Sequence, residues 1–317
     1  MIPHASPVTL ADVRVSDETY RISTEEGVEA LAASLREAGL INPPILLHTG
    51  AGHRIVSGFR RVLAALHNGW QRMPCRTLPD TTPRDRCVRI AIADNVSQRP
   101  LNWVELARCF ALLSGIASER NQLFSLASGL GLPDHPQLVD KIREIVSLSA
   151  TVQSALADEV IALPVALELG KSKPEEAKAF ERMFRRLRPG LNIQREILSL
   201  AKEIGARDGI TVPGLLMEAE EAAGIGQAPE DRNRLLRDVR RYLRKRRYPT
   251  VTETEDRFRQ LVASLPLGQG MELGPPKNFE GDRYVLRLQF HSISELEKLQ
   301  ERLGRIVSSP EIAKLFS

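Results

Sequence analysis

The residues best suited to chemistry are Ser57, Gly58, Phe59, Arg60 and Arg61, where a predicted strand turns through glycine directly into a predicted helix. The first N–H groups of a helix have no partners within the helix and carry the positive end of its dipole, so this geometry suits an anion. Gly58 lets a phosphate approach the backbone, and Arg60 or Arg61 can donate charge-assisted hydrogen bonds to it. The alternative is an ordinary helix start with two solvated arginines.

A second polar group follows about 35 residues later in the sequence. Asp94 and Asn95, at the end of a predicted helix over 84–96, offer the oxygen ligands that Mg²⁺ prefers when it bridges phosphates. Arg99 is a further candidate for phosphate contact, and Asp94 is the candidate catalytic residue. The alternative is a plain helix end before the turn at Pro100.

The elements that position these residues form a small α/β unit. Ser23 and Glu26 have the spacing of a capping box, which predicts a helix that starts there and ends at Gly39. Two short apolar runs around Gly50–Gly52 predict a β-hairpin, and residues 73–78 predict another strand. Residues 1–20 read as a loosely ordered lead-in.

The rest of the chain is predicted to be mainly helical. Almost everything in 101–247 has helical periodicity, 210–230 reads as a flexible boundary, and 268–277 reads as a loop before a strand and a last helix. The predicted fold class is therefore α+β. We expect a nucleotide-binding domain over 1–100, a helical domain over 101–209, a linker and basic helix over 210–248, and a small β-α dimerisation unit over 249–317.

Taken in order, the motifs resemble the N-terminal domain of the ParB partition-protein family, which is related to sulfiredoxin in fold. Leu31 to Ser34 with Gly39 to Ile45, Ser57 to Ala64, and Asp94 to Glu105 match the family patterns LAxSIxxxGxxxPI, GERRxxA and ENxxRxxLNxxE. The resemblance covers roughly residues 20–115 and fades by about 170. It is carried by the order, spacing and type of the residues together.

This resemblance implies a domain that binds CTP with Mg²⁺. It places Ser57, Gly58, Arg60, Arg61 and Arg99 at the nucleotide and Asp94 and Asn95 at the metal, with Arg21 also within reach of the nucleotide. Two residues depart from the family patterns: Phe59 and Asp94 each replace a glutamate, and the Asp94 side chain is one methylene shorter. These departures favour nucleotide binding over turnover, so the expected activity is at most weak CTP hydrolysis. The reaction of sulfiredoxin needs a cysteine in the loop that corresponds to Ser57–Arg61. This sequence has none there, so that reaction is not expected.

Two further regions suit DNA. Residues 123–149 lie where the family has a helix-turn-helix, whose second helix would present Gln137, Lys141 and Arg143 to a groove; a plain helical hairpin is the alternative. A basic helix later in the chain favours binding to phosphate backbone, although pairing with the acids of 216–221 or with Glu253 and Glu255 would also explain it. Its candidate contacts are Arg234, Arg237, Arg240, Arg241, Arg244, Lys245, Arg246 and Arg247.

Bulk composition narrows the class of protein. The 317-residue chain has a net charge of +4, no apolar run long enough to span a bilayer and no signal-peptide pattern at its start, so a cytoplasmic, nucleoid- or plasmid-associated protein is expected. Cys75, Cys87 and Cys109 are spaced for neither zinc nor a disulfide framework and are predicted to be buried, reduced thiols.

The sequence therefore predicts a DNA-binding dimer controlled by CTP and Mg²⁺, in plasmid or chromosome partition or a related mobile-element role. A ParA-like ATPase is a possible partner by resemblance. The alternatives are a nuclease or nucleotide hydrolase on the same fold, and an adaptor or regulator that has lost the nucleotide.

Overall fold

The structure is a computed structural model that describes residues 3–226, 231–276 and 283–313, apart from the side chains of residues 251, 252 and 256. Contacts divide the chain into two compact units, Met1–Leu191 and Asn192–Ser317. The first holds a five-stranded sheet followed by helices, and the second holds helices and a two-stranded sheet. This mixed architecture confirms the predicted α+β fold class.

The five-stranded sheet is mixed, with strands in the order β1-β5-β3-β4-β2. Its strands are β1 (Ser6–Thr9), β2 (Val13–Arg14), β3 (Ile45–Thr49), β4 (Gly52–Ser57) and β5 (Arg72–Leu78). The predicted hairpin is confirmed as the antiparallel pair β3–β4, while β5 runs parallel to β3 and antiparallel to β1. Because Ser57 pairs with Ile45 at the last position of β4, the chain leaves the sheet there.

The prediction of a loosely ordered lead-in over 1–20 is wrong. Residues of β1 pair with β5, and β2 pairs parallel with β4, so both lie at the edges of the sheet. Val8, Leu10 and Val13 are buried by these pairings. Strands of four and two residues are too short to show a periodic pattern, which is why the sequence does not reveal them.

Helices cover the sheet and continue through the rest of the first unit. They are α1 (Glu29–Ala38), α2 (Phe59–His67), α3 (Arg84–Val96), α4 (Trp103–Ser114), α5 (Arg120–Gly129), α6 (Pro136–Glu144), α7 (Ala150–Ala157), α8 (Leu163–Leu169) and α9 (Pro174–Leu187). Helix α3 has the predicted bounds, and Asn102 and Glu105 form the predicted capping box of α4. Cys75, Cys87 and Cys109 are buried free thiols, as predicted.

The predicted start of the first helix is wrong. Helix α1 begins at Glu29, and Ser23 Oγ accepts a hydrogen bond from Glu25 N instead of capping the helix. The backbone over 21–28 is irregular because distant residues hold it, among them Arg60 at the carbonyl of Gly27. The predicted end at Gly39 is confirmed, with φ of 73° and a hydrogen bond from its N–H to the Leu35 carbonyl.

The second unit contains the remaining elements. They are α10 (Leu191–Asp208, which begins at the last residue of the first unit), α11 (Val212–Ala222), α12 (Arg232–Arg247), α13 (Pro249–Ser264), β6 (Met271–Gly274), β7 (Val285–Leu288), α14 (Ile293–Val307) and α15 (Pro310–Ala313). Strands β6 and β7 pair antiparallel, and Leu299 and Ile306 of α14 are buried in the same small core as Met271.

Two loop predictions in this unit are wrong. Helix α11 occupies most of the expected flexible boundary, because Thr211 caps it and Leu215, Leu216 and Ala219 are buried. Strand β6 lies inside the expected loop over 268–277, whose last residue falls outside the described residues. The short apolar segments in both regions are stabilised by tertiary packing rather than by local propensity.

In the part of the chain that the structure describes, no helix is both long and apolar enough to cross a bilayer. The division into four domains remains a prediction.

Candidate phosphate-binding site

The turn from β4 into α2 borders a cavity of about 180 Å³. It is lined by residues from three separate stretches of the sequence, among them Ser57, Gly58, Arg60, Arg61, Asp94, Asn95 and Arg99. These include every residue predicted to touch the nucleotide or the metal except Arg21. Pockets that enclose a whole small-molecule ligand usually measure roughly 300–1,000 Å³. The cavity as it stands therefore suits phosphate groups better than a complete nucleotide.

The N-terminus of α2 depends on Gly58. This residue is left-handed, with φ of 92° and ψ of 28°, and it immediately precedes the first residue of the helix. A Cβ added here would lie 2.8 Å from Pro44 Cβ and 3.1 Å from Arg61 Nε. Only glycine therefore fits, and the free N–H groups of the first turn of α2 lie beside the cavity.

Arg61 ties the helix start to α3. Its guanidinium donates to Asp94 Oδ2 at 2.8 Å and to the carbonyl oxygen of Asn42 at 2.7 Å. Ser57 Oγ also donates to Asp94 Oδ2. The same carboxylate oxygen thus joins the end of β4, the start of α2 and the end of α3, which brings both predicted polar groups to one place.

Arg99 is paired with a fully buried carboxylate. Its guanidinium donates to both Glu105 oxygens, at 2.6 and 2.8 Å, and the Glu105 side chain is 0% exposed. Glu105 also accepts from the backbone N–H groups of Thr24 and Asn102, each at 3.0 Å. Burial acts to raise the pKa of Glu105, but these hydrogen bonds and the Arg99 charge hold it below its ordinary value.

Arg60 lines the cavity beside Arg61 and Arg99. It pairs with Glu25, and it donates to the carbonyl of Gly27 at 2.9 Å. Its Nε is buried and has no hydrogen-bond partner among the described residues. A buried guanidinium donor without a partner is costly, so this position is suited to an added acceptor.

Arg21 is not brought to this cavity. Its guanidinium pairs with Glu18, three residues earlier, and Arg21 is absent from the cavity lining. Phe59, which stands where the family pattern has glutamate, borders the cavity but is only 7% exposed and belongs to the core.

The candidate metal ligands supply few oxygens by themselves. Asn95 Nδ2 donates to the carbonyl of Ala91 at 2.8 Å, and one Asp94 oxygen already accepts from Ser57 and Arg61. Within the described residues, no group of three His, Cys, Asp or Glu could hold a metal ion. The residues present fit a Mg²⁺ ion that takes one or two protein oxygens and is otherwise bound by phosphates and water.

The residues predicted to read DNA lie on the surface of α6. Gln137, Lys141 and Arg143 are all exposed. Helices α5 and α6 both pack on α4, and residues 130–135 connect them. That connection is longer than the three to four residues usual in a helix-turn-helix. The helix-turn-helix therefore remains a prediction.

Many arginines of the basic helix α12 are paired with acids inside the second unit. Glu196 accepts from Arg240 at 2.8 Å and from Arg244 at 2.5 Å. The other pairs join Arg246 to Asp208 and Glu218, Arg247 to Glu203, and Arg234 and Arg241 to Asp238. In the described part of the chain, Arg237 and Lys245 have no acidic partner and are exposed.

Sequence reasoning missed three contributors to the site. Glu105 was expected only to cap α4, although its spacing of six residues from Arg99 within one motif was a usable signal. Glu25 was expected inside a helix, and Pro44 was expected only as part of the motif that follows Gly39, without its contact with Gly58. Each acts through a long-range contact that periodicity does not encode.

Comparison with known proteins assigns the sheet-containing part of the first unit to a family. Residues 7–96 match the ParB N-terminal domain family, so this part of the chain is a ParB N-terminal domain. The match extends the predicted resemblance back to β1 and includes Ser57–Arg61 and Asp94–Asn95, while Arg99 lies just beyond it.

Among curated relatives, the chain is 37% identical over 89 residues to the chromosome-partitioning protein Spo0J of Thermus thermophilus, covering 28% of this chain and 32% of that protein. It is 26% identical over 199 residues to the probable plasmid-partitioning protein ParB of the same organism, covering 53% and 66%. The matches thus span between about a third and two thirds of those relatives.

A solved structure similar to the chain is the C-terminally truncated chromosome-partitioning protein ParB from Caulobacter crescentus, complexed with CTP-gamma-S. The sequences are 20% identical, and the superposition covers 57% of this chain and 98% of that chain with a TM-score of 0.27. Similarity at that level transfers no ligand geometry.

Proposed function

We propose that this protein is a ParB-like DNA-binding protein whose association with DNA is controlled by a nucleoside triphosphate. The observation that carries the proposal is the convergence of Ser57–Arg61, Asp94–Asn95 and Arg99 around one cavity at the start of α2. CTP is the nucleotide implied by the match to the ParB N-terminal domain. Plasmid or chromosome partition, or a related mobile-element role, is the process that the names of the two relatives favour.

Asp94 and Asn95 would hold Mg²⁺ together with the phosphates. Bound there, the ion would neutralise phosphate charge and fix the phosphates relative to α2 and α3. Asp94 remains the candidate for hydrolysis, but its carboxylate already accepts from Ser57 and Arg61. We therefore propose binding as the main role of the cavity.

A nucleotide panel tests this proposal. We expect CTP with Mg²⁺ to raise the melting temperature of the full chain, because a ligand that binds only the folded state stabilises it. Arg61→Ala removes both the guanidinium beside the cavity and the tie to Asp94, and we expect it to weaken binding by tenfold or more, as loss of a charge-assisted hydrogen bond of about 1.5–3 kcal/mol would do.

Arg36→Ala serves as the matched control, because Arg36 lies on α1 and donates to Asn68 away from the cavity lining. Isothermal titration calorimetry of wild type and both variants gives the dissociation constants. If no nucleotide binds to wild type with or without Mg²⁺ and duplex DNA, the proposal is wrong.

The DNA part of the proposal makes a separate prediction for α12. We expect Arg237→Ala and Lys245→Ala each to weaken binding to a random DNA duplex. Each should also reduce the magnitude of the slope of the log association constant against log salt concentration by about one. Arg240→Ala should have a smaller effect, because its guanidinium already pairs with Glu196. Fluorescence anisotropy across a salt series measures all three, and equal slopes for the three variants would contradict the prediction.

A homodimer through the C-terminal unit and a ParA-like ATPase as partner remain predictions. In support of the first, the hairpin and α14 enclose a small core, while Val285, Phe290 and Ile293 are 50%, 50% and 78% exposed. An apolar surface of this kind on so small a unit suits a contact with a second copy.

A further inference from the structure

The segment 22–28, between the sheet and α1, is held in place by side chains from the cavity and its surroundings. Arg108 donates to the carbonyl oxygens of Ile22 at 3.2 Å and Ser23 at 2.8 Å. Thr24 N–H donates to Glu105, and Asn102 Nδ2 donates to Thr24 Oγ1 at 2.8 Å. These contacts fix the first half of the segment.

The second half of the segment is held by the cavity arginines themselves. Arg60 pairs with Glu25 and donates to the Gly27 carbonyl, while Arg99 Nε lies 3.9 Å from Glu25 Oε1. Glu25 is therefore a carboxylate that touches two of the three arginines that line the cavity. The third, Arg61, is paired with Asp94.

The segment also contributes to two cavities. Ile22 and Ser23 line the 180 Å³ cavity at the start of α2. Thr24, Glu25 and Glu26 line a larger cavity of about 630 Å³ together with Asn102 and Arg108. Glu25 lines the larger cavity, and Arg60 and Arg99, which it faces, line the smaller one.

We propose that Glu25 is an internal counter-anion beside the phosphate cavity, which neutralises Arg60 in the free protein and is displaced by the phosphates of a ligand. The inference rests on the proposed function, since it assigns to Glu25 control over the affinity of that same site. Glu25 sets a threshold that favours polyphosphates over singly charged anions, because only a densely charged ligand competes with a carboxylate already in place.

Two observations make the displacement energetically accessible. The Glu25 side chain is 47% exposed, so its ion pairs are of the weak, solvent-screened kind and Glu25 can be rehydrated when it leaves. The buried Arg60 Nε has no partner even with Glu25 in place, so a phosphate can satisfy a donor that Glu25 does not. A phosphate that reached this nitrogen would add a hydrogen bond that Glu25 does not form.

The test compares Glu25→Gln with Glu26→Gln in the full chain. Both variants remove one negative charge from the same exposed segment, but Glu26 has no ion pair among the described residues. Calorimetric titration with inorganic tripolyphosphate, and separately with CTP and Mg²⁺, isolates the phosphate site from recognition of the base. We expect Glu25→Gln to bind tripolyphosphate roughly two- to fivefold more tightly than Glu26→Gln, the factor typical for removal of exposed ion pairs.

A second comparison ties the gain to the arginine. In an Arg60→Ala background, the gain from Glu25→Gln should shrink toward onefold, because the main partner of Glu25 is gone. Circular dichroism spectra and melting curves of each variant confirm that all are folded.

The outcomes separate the two proposals. If wild type binds polyphosphate and Glu25→Gln binds equally or more weakly than Glu26→Gln, the counter-anion role is overturned and the proposed function stands. If wild type and both variants bind neither polyphosphate nor CTP, both proposals fail. If Glu25→Gln binds tripolyphosphate and neither wild type nor Glu26→Gln does, the counter-anion role of Glu25 is supported.

Discussion

Gly58→Ala is expected to lower the free energy of unfolding by roughly 2–5 kcal/mol. About 1–2 kcal/mol comes from forcing an L-residue into the left-handed region, and a further 1–3 kcal/mol from overpacking where the new methyl meets Pro44. Urea unfolding followed by circular dichroism measures the loss. The same methyl intrudes beside Arg61, so polyphosphate binding should fall as well.

Gly69→Ala separates backbone strain from close packing. Gly69 has φ of 73°, but an added Cβ there would meet nothing within 4 Å. We therefore expect this control to lose only the backbone part, about 1–2 kcal/mol, and to keep polyphosphate binding. If both variants lose the same free energy of unfolding, Pro44 moves aside and the close approach at Gly58 does not contribute to the loss.

Glu105→Gln is expected to be the most damaging single substitution at the site, with a loss of about 3 kcal/mol or more in the free energy of unfolding. Removal of one partner from a buried ion pair typically costs about 3–5 kcal/mol, and the lower end applies because Arg99 is 35% exposed. The amide nitrogen also faces donors that the carboxylate accepted, from Arg99, Thr24 and Asn102. Glu37→Gln, on the exposed surface of α1, is the matched control with little expected effect.

The same residue gives the protein a defined acid sensitivity. The pKa of Glu105 lies below its ordinary value of 4.5 in the folded state, so its contribution is complete above about pH 4.5 and is lost as the pH falls through the folded pKa. Stability measured by urea unfolding should therefore fall more steeply in wild type than in Glu105→Gln as the pH drops below about 4.5. Parallel curves for the two proteins would contradict the assigned charge state.

The parts of the fold that the sequence predicts well are those with strong local signals. The β3–β4 hairpin, the bounds of α3 and the capping box at Asn102 follow from turn residues, periodicity and side-chain spacing, and all are confirmed. The convergence of Ser57–Arg61 with Asp94 was expected only through the resemblance of their ordered motifs, because nothing in the spacing itself brings them together.

The parts that the sequence does not predict depend on distant partners. Strand β1 exists because β5 offers it an edge, and α11 forms although its segment is rich in small and acidic residues. The start of α1 moves to Glu29 because Arg60, Arg108 and Glu105 hold the preceding backbone in an irregular path. Pairing of the α12 arginines with acids of 216–221 was an open alternative, and Glu218 does pair with Arg246, but Glu196 and Asp208 lie outside that segment.

The burial of the three cysteines has a practical consequence for these measurements. Cys75, Cys87 and Cys109 all belong to the first unit, and burial raises the pKa of Cys75 to about 11 and that of Cys109 to about 12. Alkylating reagents react with exposed thiolate, so labelling proceeds only when this unit opens. Mass increments from pulse alkylation therefore report the opening of the first unit by itself, in the intact protein, whatever the second unit does.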